Sequence, residues 1–234
     1  MQVLTHPSDD ALATAAADLI SDRLAQVERD RANLALAGGS TPTATYRALQ
    51  RLPVDWSRTD LWLSDERWVP HESDESNGRM AEETLVGHLT GAAFHRPIFS
   101  PNVEPDESAA YYEATLRRII PDGRPDVVLL GMGSDGHTAS LFPGTTALVE
   151  PTERWFVENH VESMDTWRLT ATPHLLRRAK TIIAIVAGDA KADVLAEAVE
   201  RPSGRYPIEL LHDAEGDVLF LTDEAAASQL SRTP

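Results

Sequence analysis

The segment Gly131-Met-Gly-Ser-Asp-Gly-His137 sets a carboxylate, Asp135, two residues before an imidazole, with Gly131, Gly133 and Gly136 around them. Imidazole is the side chain best suited to moving protons near neutral pH, and glycines let a loop expose its peptide N–H groups. A lone histidine is more often a surface or structural residue. Here the other seven (His6, His71, His88, His95, His160, His174 and His212) lack comparable context. Gly131, Gly133 and Gly136 also spell the G-x-G-x-x-G of a dinucleotide site. Pro143-Gly144 interrupts any long helix after it, and no strand ending in an acidic residue follows about twenty residues on to meet a ribose.

Three further segments offer positive groups to an anion. In Leu34-Ala-Leu-Ala-Gly-Gly-Ser-Thr-Pro42, Gly38 and Gly39 allow a tight turn, Thr41 suits a helix N-cap and Pro42 the first helical position. The helix so begun would present free N–H groups and the positive end of its dipole to a ligand. No Gly-Lys-Ser/Thr follows, so a small phosphate ester fits better than a nucleoside triphosphate. In Gly188-Asp-Ala-Lys, Asp189 is expected to cap a helix, with Lys191 in its first turn. A cation there is unfavourable by a few tenths of a kcal/mol, roughly, unless it meets an anion. An extended Trp167–Thr172 would turn Trp167, Leu169 and Ala171 one way and Arg168, Thr170 and Thr172 the other, just before a helix starting at Pro173. The guanidinium of Arg168 could grip phosphate oxygens in pairs; an ordinary surface salt bridge is the competing reading. Asp65 and Arg67, around Glu66, are expected just past a strand end, where they would border one pocket if they point the same way.

The elements that must position these groups follow from hydrophobic patterning. Short apolar runs at Asn33–Ala37, Asp60–Leu63, Asp126–Leu130, Thr181–Ala187 and Asp217–Leu221 lack alternation, the mark of strands covered on both faces. Helical stripes lie between them: Leu12, Ala16, Leu19, Ile20, Leu24 and Val27 in Ser8–Val27, and Ala109, Tyr112, Leu116 and Ile119 or Ile120 in Glu107–Ile120. The order predicts an α/β protein, a three-layer sandwich around a mostly parallel, Rossmann-like sheet, in one domain over residues 1–234. The segments 71–79 and 100–108 are expected to be surface loops. Chemistry-bearing residues follow the carboxyl ends of four of the strands, where open α/β sheets bind ligands.

Composition narrows the chemistry further. There is no cysteine in 234 residues, which excludes disulfides, thiolate nucleophiles, cysteine zinc sites and iron–sulfur clusters. No His/carboxylate spacing resembles a metal ligand set. The formal net charge of −16 repels nucleic acid and anionic lipid, and makes a deliberately placed cation informative. Lys180 and Lys191 are the only lysines. No apolar run reaches membrane-spanning length and Met1–Asp10 has no secretory pattern, so a cytoplasmic protein is expected, with a monomer as the default.

Together, "LALAGGSTP", "SDERWVP" with Ser76-Asn77 beyond it, "GMGSDGHTASLFPG", "WRLT" and "GDAK" resemble the 6-phosphogluconolactonase family, whose fold is shared with glucosamine-6-phosphate deaminases. The resemblance runs from about Asn33 to about Leu221. It implies hydrolysis of 6-phosphogluconolactone to 6-phosphogluconate in the pentose phosphate pathway, without metal or organic cofactor. By motif it assigns phosphate binding to Gly38, Gly39, Ser40, Thr41, Arg168 and Lys191, and proton transfer to His137. Asp135, Asp65 and Arg67 would surround the lactone, with Asn77 nearby. Deaminase relatives resemble the same motifs but carry Asp-Glu-Tyr in place of Asp65-Glu66-Arg67, and Glu-Pro where this chain has Phe142-Pro143. The lactonase reading is therefore preferred to a deaminase, and the Asp-Gly-His loop speaks against a non-catalytic sugar-phosphate sensor.

Overall fold

Along each central strand, successive side chains enter two different buried clusters. Leu34, Leu36, Leu61, Leu63, Leu129 and Ile183 join one, while Ala35, Trp62, Val128, Leu130 and Ile182 join the other. A strand sandwiched in this way has no polar face, which is why the sequence runs are apolar throughout. The computed structural model describes residues 1–149 and 152–231.

The chain runs β1 (Gln2–His6), α1 (Asp9–Ala25), β2 (Ala32–Leu36), α2 (Ser40–Leu49), β3 (Thr59–Leu63), β4 (Asp65–Arg67), α3 (Asn77–Thr84), β5 (Ala93–His95) and α4 (Pro105–Ile119). It continues as β6 (Val127–Gly131), α5 (Thr146–Val149), β7 (Phe156–Val161), β8 (Thr166–Ala171), α6 (Pro173–Arg177), β9 (Thr181–Val186), α7 (Ala192–Glu200) and β10 (Asp217–Asp223). Seven strands form one parallel sheet in the order β1-β10-β9-β6-β2-β3-β5. From β2 the chain steps outward to β3 and β5, then returns across β2 to β6. The order therefore reverses between β2 and β6, opening a crevice at their carboxyl ends. A three-stranded antiparallel sheet, β4-β8-β7, packs through Phe156, Leu169 and Ala171 into the core on one face.

All five expected strands are present within one or two residues, and α1 carries the expected stripe behind Ser8, whose side chain accepts from Ala11 N at 3.2 Å. Elements with weak patterns escape sequence reading: β1 and β5 at the edges of the parallel sheet, and β4 and β7 at the edges of the small one. Two expected loops end early in helices. Ser76 caps α3, so Asn77 to Arg79 are helical, and Pro105 starts α4, two residues before the expected Glu107. No helix among the described residues is long and apolar enough to cross a membrane.

Two buried tyrosines fix the strand ends that matter for the crevice. The Tyr46 hydroxyl donates to Ala37 O and accepts from Ala37 N, both at 2.8 Å, and burial pushes its phenol far above the ordinary range. Tyr112 accepts from Leu63 N at 2.8 Å and donates to His95 O at 3.0 Å. Replacing Tyr46 by Phe strands both Ala37 groups in a buried site. The variant is expected to lose about 1–3 kcal/mol of stability, read as a lower urea midpoint at unchanged slope; an unchanged midpoint would show that the turn holds itself.

Candidate active site

Beyond Ala37 the chain must turn at once, and Gly39 does so at φ 111°, a conformation that side-chain-bearing residues rarely adopt. Gly39 itself is then the N-cap and α2 begins at Ser40. Thr41 is therefore not the cap and Pro42 not the first helical residue, because the turn is complete before they are reached. No side chain caps the helix, which leaves its first-turn N–H groups free to face a ligand. Gly38 is required for another reason: a Cβ there would lie 1.9 Å from Asn77 Oδ1.

Asp65 and Arg67 follow the carboxyl end of β3, as expected, and are also the two ends of a further strand, β4, which pairs antiparallel with β8. The register sets Asp65 opposite Thr170 and Arg67 opposite Arg168. Like charges facing each other across strands are unfavourable unless an anion lies between them. Arg67 Nη1 donates to Asn77 Oδ1 and to Glu75 O at 3.0 Å, and Asn77 Nδ2 donates to Asp65 O at 2.9 Å. Arg168 is half-buried, with its Nε enclosed and without a hydrogen-bond partner. Burial, and next the charge of Arg67, lower its pKa. Asp65 accepts from Ser140 Oγ at 2.7 Å, so it is tied to the loop after β6 and not to His137.

Glu66 is a functional element the sequence reading passed over. Its buried carboxylate accepts from Arg67 N at 2.8 Å, Asn77 N at 2.7 Å, Gly78 N at 2.7 Å and Ser76 Oγ at 3.1 Å. It thereby fastens the start of α3, and with it Asn77, to β4. Burial raises its pKa despite three backbone donors. A Ser-Asn pair about ten residues after an acidic residue was the available signal.

His137 Nδ1 lies 2.6 Å from Asp135 Oδ1, which also accepts the His137 N–H at 3.1 Å. With Nδ1–H donated to Asp135, neutral imidazole keeps its lone pair on Nε2. The Phe142 ring stacks on the imidazole at 4.2 Å and 28°. Gly133 makes room for the pair, since a Cβ there would lie 2.2 Å from His137 Nδ1. Other histidines also have carboxylate neighbours, contrary to the sequence reading: His71 with Glu82, His95 with Asp60 and His160 with Asp165. None of those lines the cavity described next.

Lys191 stands before α7, not in its first turn: Asp189–Lys191 form a 3-10 turn, α7 starts at Ala192, and Asp189 makes no capping bond. Its ammonium is half-buried and burial lowers its pKa. Among the described residues, Lys191, Arg168 and Arg67 form no ion pair with a carboxylate.

All the residues expected at the site but one converge. A cavity of ≈ 320 Å³ is lined by Gly38 to Thr41, Asp65, Arg67, Asn77, His137, Arg168 and Lys191. Asp135 stands behind His137 and borders a neighbouring cavity instead. Gly131 to Gly133 complete the wall, so the cavity sits at the β2/β6 reversal. The arrangement joins positive groups to one oriented imidazole, a combination suited to proton transfer on an anionic ligand. Among the described residues no group of three or more His, Cys, Asp or Glu side chains is placed to hold a metal.

A family model described as glucosamine-6-phosphate isomerases/6-phosphogluconolactonase matches residues 7–220. The 6-phosphogluconolactonase of Rhizobium meliloti is 39% identical over 205 residues, 85% of this chain and 86% of that protein. That of Synechocystis is 34% identical over 212 residues, 87% of this chain and 86% of that protein. A solved structure of 6-phosphogluconolactonase from Trypanosoma cruzi superposes with TM-score 0.89 at 26% identity, covering 98% of this chain and 97% of that one.

Glu66 offers a test of the clamp. A carboxyl whose pKa is raised in the fold supports folding below its usual value near 4.5, and that support is lost as pH rises through the raised value. Relative to the parent, Glu66→Gln should therefore gain stability as pH increases across that window, from a lower start because its amide cannot accept from Gly78 N. Denaturation at several pH values measures the difference, and a flat difference would contradict the assigned burial.

Proposed function

The chain belongs to the glucosamine-6-phosphate isomerase/6-phosphogluconolactonase family, and from that premise we propose that it hydrolyses 6-phospho-D-glucono-1,5-lactone to 6-phospho-D-gluconate. The observation that carries the reading is the single cavity in which Arg67, Arg168 and Lys191 stand without carboxylate partners while His137, held by Asp135, borders the same space. The substrate phosphate sits against the first turn of α2, Arg168 and Lys191, where free N–H groups and unpaired cations meet it. Phosphate binding at that end orients the lactone carbonyl towards His137.

Neutral His137 removes a proton from water through Nε2 as the oxygen attacks C1, and the carbonyl electrons move onto its oxygen. When the tetrahedral intermediate collapses, the bond from C1 to the ring oxygen breaks and His137 returns the proton to that oxygen. The products are the hydroxyl and the carboxylic acid, which ionises at neutral pH. Arg67 is the donor for the developing oxyanion. The alternative donors are reduced in number, because Gly133 N already serves His137 O at 2.9 Å and Gly136 N serves Gly133 O at 3.0 Å. Asp135 holds the imidazole tautomer; Asp65 positions the Ser140 segment of the wall.

The deaminase reading is disfavoured by Phe142. Its ring covers the face of His137, in the motif position where deaminase relatives have a carboxylate. A soluble phosphorylated substrate suits the cytoplasm.

Acid release from freshly prepared 6-phosphogluconolactone should exceed the spontaneous rate, and a rate equal to the blank would reject the activity. His137→Ala is expected to lower kcat by about a hundred- to ten-thousandfold with little change in KM. Arg168→Ala and Lys191→Ala should each raise KM by about tenfold or more, the worth of a charge-assisted hydrogen bond. Unchanged turnover in the first, or unchanged KM in the other two, would remove those residues from their roles.

A further inference from the structure

Lys191 is the N-cap residue of α7 and also ends the short turn Asp189–Lys191, so its place depends on what holds that turn as well as on the helix. That turn hangs from Gly188, whose φ is 92° and whose N–H points at a carboxylate: Asp223 Oδ1 and Oδ2 accept it at 3.1 and 3.0 Å. Asp223 Oδ1 also accepts Ala226 N at 2.7 Å, at the start of the following 3-10 turn. The carboxylate is buried at the end of β10, next to the end of β9, with Thr222 paired to Val186. One side chain thus ties together the segment after β9 and the segment after β10. Within the turn, Lys191 N donates back to Gly188 O at 3.3 Å. Fixing Gly188 therefore fixes the Lys191 backbone.

Asp223 does not line the cavity and makes no ion pair with Lys191, so it is not a substrate ligand. Its charge is nevertheless felt: with Asp9, at the first turn of α1, it supplies the negative field that opposes the effect of burial on the ammonium. The sequence offered no reason to single it out, since it follows an ordinary buried strand in Leu221-Thr-Asp.

We propose that Asp223 is a positioning residue for the phosphate side of the site: by holding the N–H groups of Gly188 and Ala226, its carboxylate sets the turn that presents Lys191 to the substrate. The inference rests on Lys191 binding the phosphate as assigned above. Its effect belongs to substrate capture and not to the proton transfers at His137, which stand on a different loop.

A double-mutant cycle tests this on the intact chain, with lactone hydrolysis giving kcat and KM and inorganic phosphate serving as competitive inhibitor. Asp223→Ala is expected to raise KM and weaken phosphate inhibition by about tenfold, one charge-assisted contact, while kcat stays within about twofold. In a Lys191→Ala background, the same change should move KM by less than about twofold, because residues acting as one unit are not additive. An equal KM increase in both backgrounds, an unchanged KM in Asp223→Ala, or a fall in kcat matching the loss in kcat/KM would each overturn the proposal. Should Asp223→Ala fail to fold, Asp223→Ser, a small polar side chain without the carboxylate's reach, runs through the same cycle with the same criteria. Failure of the underlying reading looks different: there the parent shows no turnover, or Lys191→Ala alone leaves KM unchanged, and the positioning role falls with it.

Discussion

Positive charge without a partner is the constraint around which this protein is arranged. Elsewhere several buried carboxylates are paired with cations: Asp126 takes Arg29, Lys180 and the Asn33 amide, Asp60 takes Arg31 and His95, and Glu113 takes Arg117 and Arg154. With 37 acidic residues against 21 basic ones, partners are plentiful. Yet Arg67 and Arg168 face each other across two strands, and Lys191 lies half-buried beside the same space. Removing a cation from water without compensation is unfavourable, so such a gathering persists only because the rest of the fold enforces it.

What enforces it is a set of short polar ties at the carboxyl edge of the sheet. Tyr46 and Tyr112 clamp the ends of β2 and β3 from opposite faces, each through one hydroxyl that both donates and accepts. Glu66 secures the start of α3, Asn77 passes that position on to Arg67, and Gly38 leaves the space Asn77 occupies. The small antiparallel sheet then carries Arg168 to the same rim. On the reactive side, Asp135 and Phe142 confine His137 from its edge and its face.

The legible part of this plan was local. Apolar runs covered on both faces gave the central strands, and glycine-rich ends gave the ligand edge, because burial and turn chemistry act over a few residues. Arg168, Lys191 and His137 could be named as candidates from residue type and context. Their meeting in one pocket follows from the strand-end rule, but the route that brings Arg168 there does not: β4 is three residues long, and its pairing with β8 joins segments a hundred residues apart, which no periodicity reports. The misplaced caps have a similar cause. Thr41 and Asp189 are good capping types, but Gly39 and Gly188 reach positive φ and complete the turns first. Asp135 was expected beside the lactone; it lies behind the imidazole because one oxygen serves both nitrogens of His137 that face it.

The tyrosine clamps have a consequence for how the molecule responds to its medium. Their contacts are neutral and enclosed, whereas any attraction between the rim cations and an anionic ligand would reach through open solvent and fade once the Debye length shrinks below about 10 Å. Dissolved ions would therefore blunt the pull on an anion while leaving the mouth of the cavity in shape. Capture and architecture answer to different variables.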